Sequence, residues 1–275
     1  MTNSKNIYGT IGYTYLEGIN KVIVFADMHD TLPNCLEKNP INVSDWFKTK
    51  FQSSKILLEE VNRDGFNLKE LWTHSPHTQS LKNLFIENQH IINPIDVRPY
   101  LVPYSWELVN ETKNIILKDY LVKINNFFKL DHTFFQSNLS LYLLSNLINT
   151  TLGTHFLILK KKFTFLLNIN KQYINKTIID IKNNNIQLLN NINELLDDIM
   201  EWYICAQIIL NSDKSVILHT GLAHSDIVIK LLVLLYNYKI VNSDGINQLS
   251  QFNNMMSGCI QLPNEIDIQF GGFLN

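Results

Sequence analysis

Charge is scarce in this chain of 275 residues, where Lys, Arg, Asp and Glu make up only 17%. That is little for a soluble protein, and uncharged Asn fills much of the polar surface instead. Lys and Arg number 23 against 25 for Asp and Glu, which leaves a formal charge of −2. With no basic excess, and no basic stripe interleaved with aromatics, nucleic-acid binding is not expected. Long apolar runs are missing as well. Residues 227–236 come nearest to a membrane span and fall short of the roughly 18 residues one needs. The first ten residues, MTNSKNIYGT, lack the apolar centre of a signal peptide. Cysteine occurs three times, at Cys35, Cys205 and Cys259, with no CxxC pair. Neither a disulfide framework nor a thiolate zinc site is expected from an odd, scattered set. The expectation is a reduced, intracellular protein without a classical secretion signal.

What is present is concentrated in one stretch, residues 21–35, KVIVFADMHDTLPNC. Val22, Ile23, Val24 and Phe25 form a short continuous apolar run, the pattern of a strand buried on both faces. It ends abruptly in Asp27, His29 and Asp30. In an open α/β sheet, ligands bind just outside the carboxyl ends of the strands.

The pattern recurs. Ile56, Leu57 and Leu58 read as a second buried strand, running into Glu59 and Glu60. Residues 91–95 read as a third, interrupted by Pro94, ending in Asp96 and Arg98. Residues 215–218 read as a fourth, followed by His219-Thr220-Gly221-Leu222-Ala223-His224 and a helix over 226–236, capped by Ser225 or Asp226. Strand, glycine turn and helix N-terminus bring side chains and free amides together on an anion. Several strand ends that each carry ionisable groups point to one polar cleft.

Elsewhere the reading is structural. Residues 8–16 look like an irregular edge strand or hairpin arm, and Ser44 is placed to cap a helix over 45–51. His74 and His77 flank Pro76, which disfavours a shared helical face and weakens them as a ligand pair. Thr78 is placed to cap a helix over 79–88. From about 105 to 210 apolar residues recur at three and four, the helical spacing, with breaks at Gly153 and at Lys160–162. Phe127, Phe128, Phe134, Phe135 and Trp202 are expected in a core. His132 and His155 are read as structural or surface residues. A short edge strand over 239–242 and a loose tail close the chain.

The ordered set Ala26-Asp27-Met28-His29, Leu58-Glu59-Glu60, Asp96-Val97-Arg98 and Gly221-Leu222-Ala223-His224 resembles the motifs of one superfamily. It comprises TraB/PrgY proteins, TIKI metalloproteases, ChaN-like haem-binding proteins and erythromycin esterases. There the first motif usually reads Gly-Thr/Glu-x-His, so Ala26 and Asp27 are departures. The set also resembles uncharacterised proteins of large DNA viruses, which would place the protein in host cytoplasm or virion. The likeness covers about 21–100 and 215–240.

The fold expected is α/β, a mostly parallel sheet flanked by helices with a large helical insertion. Residues 1–104 and 213–275 are its two core parts and 105–212 the insertion or cap. The resemblance implies a metal-dependent peptidase or an esterase-like hydrolase acting on peptide or ester bonds. His29, Glu59, Glu60, Arg98 and His224 are the catalytic candidates, with Asp96, Asp30 and His219 facing substrate. His29, Glu60 and His224 could hold a divalent ion (manganese, cobalt or zinc) with an open position for water. Alternatively His29, oriented by Glu59 or Glu60, serves as general base without metal, while Arg98, held by Asp96, faces the substrate. The ChaN branch adds haem as a further ligand. A calcineurin-like phosphoesterase shares Asp27-x-His29 but needs Gly-Asp-x-x-Asp and Gly-Asn-His motifs that the chain lacks. The rival from another class is a non-catalytic virion or host-interaction protein that keeps the fold and assembles with itself or with a virion.

Overall fold

A computed structural model describes residues 4–28, 35–61, 76–129, 150–251 and 258–271, with residues 76–78 given by their backbone alone. The chain divides into two compact units, residues 1–96 with 207–275, and residues 97–206.

The first unit holds strands β1 (Ser4–Tyr8), β2 (Gly12–Glu17), β3 (Lys21–Asp27), β4 (Ile41–Asn42), β5 (Ser54–Leu58), β6 (Ile92–Pro94), β7 (Ser215–Gly221), β8 (Lys239–Gly245) and β9 (Cys259–Pro263). Its first helices are α1 (Val43–Lys48) and α2 (Pro76–Glu87). The second unit carries α3 (Arg98–Leu101), α4 (Leu117–Tyr120), α5 (Val122–Phe128), α6 (Thr151–Ile169), α7 (Ile178–Asn184) and most of α8 (Ile186–Leu210). Helices α9 (Leu222–Tyr236) and α10 (Asn264–Gln269) return to the first unit. The class is mixed α/β.

A six-stranded sheet runs β6-β5-β7-β3-β2-β8, and a three-stranded sheet runs β4-β1-β9. In the larger sheet β6, β5, β7 and β3 pair in parallel, whereas β2 pairs antiparallel with both β3 and β8. In the smaller one β1 is parallel to β4 and antiparallel to β9. Both sheets are thus mixed.

The apolar runs explain the layering. Ile23, Phe25, Ile56, Leu58 and Ile217 join Trp46, Phe47, Leu84 and Phe85 in one core cluster beneath α1 and α2. Their alternate neighbours Val22, Val24, Val216 and Leu218 are equally buried and, by the two-residue period, face the other way. There α9 packs on β3 and β7. A strand covered on both faces needs apolar residues at every position.

Residues 8–16 do not form one edge strand; the hairpin arm expected to lead into β3 is present from Gly12 on, paired antiparallel with β3. The chain turns at Gly9, whose φ is 95°, a conformation that glycine adopts without penalty. Thr10 Oγ1 then donates to the Ala26 carbonyl at 2.7 Å, and β2 enters the larger sheet between β3 and β8. The edge strand on that side is β8, which is longer than expected, and β6 forms the other edge. Helix α1 starts earlier than expected, because Asn42 rather than Ser44 caps it, accepting from Ser44 N at 2.9 Å.

The cysteine reading needs correction: Cys35 and Cys259 are joined in a disulfide across 224 residues. Sequence spacing says nothing of which distant segments a sheet brings side by side. Cys259 opens β9 and lies opposite Tyr8. Cys205 stays free and buried, and burial raises its thiol well above the usual value.

A buried ion cluster ties α10 down. Asp267 accepts from Lys50 and Lys5, each at 2.5 Å, and from Trp46 Nε1 at 2.7 Å. Lys50 is wholly buried, and its ammonium also lies 4.9 Å from the Trp46 ring centre.

In the second unit Phe127, Phe128, Phe156, Phe163 and Trp202 form a buried aromatic cluster. Trp202 Nε1 donates to the Leu152 carbonyl at 3.0 Å. Phe134, Phe135 and His132 lie outside the described residues. Neither Gly153 nor the lysine run breaks α6. Gly153 sits in its first turn, donating to the Thr150 cap, and lysine is a good helix former with a solvated head. His155 is half-buried, and desolvation lowers its pKa against the opposing pull of Asp198.

Candidate functional site

The site is set by strand register. Strand β7 lies between β3 and β5, with Ala26 opposite Thr220, Asp27 opposite Gly221 and Leu58 opposite His219. The ladder continues one step further, because Glu59 N donates to the His219 carbonyl at 3.1 Å. Glu60 N then turns back onto the Leu58 carbonyl at 2.7 Å, which ends β5. Asp27 and Glu59 therefore flank Thr220-Gly221 from either side, at the carboxyl ends of parallel strands. All three side chains, with Glu60, are buried.

Glu59 is held closely. Its Oε2 accepts from Thr220 Oγ1 at 2.6 Å and from Gly221 N at 2.7 Å. Its Oε1 stands 3.9 Å from His224 Nε2, within ion-pair reach when the imidazole is protonated. His224 is the third residue of α9, whose N-cap is Gly221 with no side-chain cap of its own. The anion at this helix N-terminus is thus a carboxylate of the chain itself, placed where the helix dipole favours it.

Ser225 and Asp226 do other work than capping. Ser225 Oγ donates to the Thr220 carbonyl at 3.0 Å. Asp226 Oδ2 accepts from Lys230 Nζ at 2.9 Å and from Leu249 N at 3.2 Å. Helix α9 also begins at Leu222, earlier than the sequence pattern implied. Apolar Leu222 and Ala223 gave no capping signal, since the carboxylate that serves the turn comes from β5.

His219 is 4% exposed and packs edge-on to the Phe47 ring, 6.1 Å between centres. Asp96 is half-buried beyond β6, where its N–H donates to the Glu60 carbonyl at 3.3 Å. Arg98 opens α3 in the second unit and donates to Asp197 at 2.8 Å within it. His29 and Asp30 lie outside the described residues, as does His74; of His77 only the backbone is described.

No family model, curated protein or solved structure matches the chain.

The likeness to the TraB and ChaN proteins accordingly rests on the motifs alone. Among the described residues no three His, Cys, Asp or Glu side chains are grouped to hold a metal ion. Of the three ligands expected from the sequence, Glu60 and His224 are described and His29 lies outside the described residues. Among the same residues no helix is long and apolar enough to cross a membrane.

Two residues of this site were given no role from the sequence, although Asp27 was named among the ionisable strand ends. Asp27 is wholly buried and accepts from Met28 N at 2.7 Å. Thr220 sits unremarked between the two histidines of the β7 turn. Its signal was available in the strand alternation, since the two-residue period puts Thr220 on the same face as Val216 and Leu218.

Proposed function

We propose that the protein is a hydrolase of ester or peptide bonds whose reacting group is His224, oriented by Glu59. The observation that carries this reading is the Glu59–His224 pair at the carboxyl ends of adjacent parallel strands, 3.9 Å apart and both largely buried. Open α/β sheets bind their ligands at that end. An imidazole beside a fixed carboxylate takes a proton from water or a nucleophile and returns it to the leaving group. The carboxylate stabilises the imidazolium formed in between.

The mostly parallel part of the sheet, β6 to β3, is the working part of this proposal, and β2 and β8 complete its edge. In the metal-dependent form of the reading, His29, Glu60 and His224 would hold manganese, cobalt or zinc, and the ion would supply an activated water. Arg98, Asp96, Asp30 and His219 remain the substrate-side candidates, and haem is a further ligand to test. The proposed location is inside the cell, in host cytoplasm or virion for a viral source.

The test is a panel of nitrophenyl esters and fluorogenic peptides offered to the oxidised full chain. One arm contains chelator, and others contain manganese, cobalt or zinc. Turnover in chelator supports the metal-free pair, and turnover only with an ion supports the metal form. No turnover in any arm overturns the hydrolase reading.

The second reading, a non-catalytic virion or host-interaction protein, draws on the open edge of the larger sheet. There Ile240 and Val241 of β8 are exposed, and exposed apolar side chains are the kind of surface that partners cover.

A further inference from the structure

We propose that β8 is a dimerisation edge, along which a second copy of this chain pairs its own β8 antiparallel about a two-fold axis at Asn242. The inference goes beyond the hydrolase reading and holds whether or not the chain turns anything over. It stands on which strand edges the first unit leaves open. Strand β6 has three residues and ends in Pro94, and β4 has two; short or proline-marked edges resist pairing. Strand β9 is buried at Cys259, Ile260 and Leu262. Strand β8 runs for seven residues without proline, and six of them are exposed. Ile240 and Val241 are among them, at 50% and 53% exposure. Among the described residues no strand pairs with its outer side.

The occupant follows from the register. Strands β2 and β8 pair antiparallel, with Glu17 opposite Lys239, Leu16 opposite Ile240, Tyr15 opposite Asn242 and Tyr13 opposite Asp244. Val241 is left as the extra residue of a bulge. Glu17, Tyr15 and Tyr13 alternate along β2 and so share one face. Their opposites Lys239, Asn242 and Asp244 share it too, and Tyr13 Oη accordingly donates to Asn242 Oδ1 at 2.5 Å. Without the bulge Lys239 and Asp244, five positions apart, would face opposite ways.

That shared face makes the edge complementary to itself. A two-fold axis normal to the sheet keeps each face on its own side, as opposite residues of an antiparallel pair require. With Asn242 on the axis, Lys239 comes opposite Asp244 of the second copy and Ile240 opposite its Ser243, and the same contacts recur in reverse. Opposite charges therefore meet twice. In a register slipped by one pleat either way, neither charge pair forms. Charge on an edge ordinarily turns other strands away; here it selects one. A strand of a different protein could extend the sheet, but only a second copy brings the matching pattern by symmetry. Asp244 is also fixed in place, because its Oδ2 accepts from Gln261 N at 2.7 Å.

The experiment is sedimentation velocity of the oxidised full chain across the micromolar range, since one pair of strands buries less than a standard interface. The wild type should pass from monomer to dimer as concentration rises. Lys239→Glu and Asp244→Lys, each shown to be folded by circular dichroism, should each raise the dissociation constant about tenfold, because both contacts turn from attraction to repulsion. Mixed in equal amounts, the two variants should associate as the wild type does, each chain now meeting the opposite charge at both contacts. Asn242→Cys, on the axis, should cross-link to itself under mild oxidation, whereas Thr164→Cys, exposed on α6, should not.

A chain that stays monomeric throughout overturns the proposal and leaves the edge to a strand of another protein. A dimer that neither charge variant weakens overturns it, and so does a mixture that associates no better than its components. Should a charge variant not fold, Asn242→Cys decides, because a failure to cross-link while the wild type dimerises contradicts the axis. None of these readings involves substrate, so dimerisation and hydrolysis fail separately.

Discussion

At the scale of single residues, Glu59 carries the most consequence. Replacing it with Ala leaves the Thr220 hydroxyl and the Gly221 amide without their common acceptor in a buried place. Lost bonds to a charged group and unsatisfied donors together cost about 3 kcal/mol, read as a lowered urea midpoint at unchanged slope. Glu59→Gln keeps the volume and an acceptor and is expected to cost less than half as much. Equal losses in both variants would mean that Glu59 matters by its charge alone and that the retained volume and acceptor contribute nothing. The strand-end pattern made Glu59 and His224 legible in the sequence. The bond that unites Glu59 with Thr220 was not, because it depends on β5 and β7 being neighbours while 161 residues apart in the chain.

Asp267 offers a second test at this scale. Burial works against its charge, but the hydrogen bonds from Lys5, Lys50 and Trp46 outweigh it and hold the carboxyl below its usual value. A depressed acid contributes stability that is present above its unfolded pKa and lost as pH falls through the folded one. Acid unfolding should therefore steepen below about pH 4 in the wild type and flatten in Asp267→Asn. The same variant leaves Lys50 buried without its partner charge, at a cost of about 3–5 kcal/mol near neutrality. Desolvation by burial already lowers the Lys50 pKa, so part of that cost is relieved as pH rises and the ammonium is neutralised. An acid limb identical in wild type and Asp267→Asn would contradict this account.

At the scale of elements, the apolar runs located β3, β5 and β7, since strands covered on both faces advertise themselves by composition. Terminal residues fared worse. Helix α9 reaches Leu222 because a carboxylate from another strand serves its first turn, and α1 starts at Val43 because Asn42 supplies the cap. The β2–β8 edge shows a close approach that no pattern announces. A Cβ at Gly245, whose φ is +72°, would stand 2.3 Å from the Ile11 carbonyl oxygen. Gly245→Ala should therefore destabilise the first unit by more than about 1 kcal/mol, measured by thermal unfolding. A stability gain instead would show that this edge yields readily. In the second unit, Trp202→Ala removes the centre of the aromatic cluster and should cost about 3–5 kcal/mol.

For the molecule as a whole, the disulfide is the feature that composition argued against. It closes a loop of 224 residues, which spans the whole second unit. In the chain-entropy account such a link stabilises by about 5 kcal/mol. Full reduction should lower the denaturation midpoint accordingly, and Cys35→Ser with Cys259→Ser should match the reduced protein. Thiol titration under denaturing conditions should count Cys205 alone before reduction. Three thiols before reduction would contradict the pairing.

The central claim is that His224 and Glu59 work as a unit, and paired kinetics test it most directly. With whichever ester or peptide the panel shows to be turned over, kcat/KM is measured for wild type, His224→Asn, Glu59→Gln and the double variant, each checked for fold by circular dichroism. The account expects His224→Asn to lose about 10²–10⁴-fold, with the double variant no worse than His224→Asn alone, since residues acting together are not additive. Turnover undiminished in folded His224→Asn, or losses that multiply in the double variant, would contradict it.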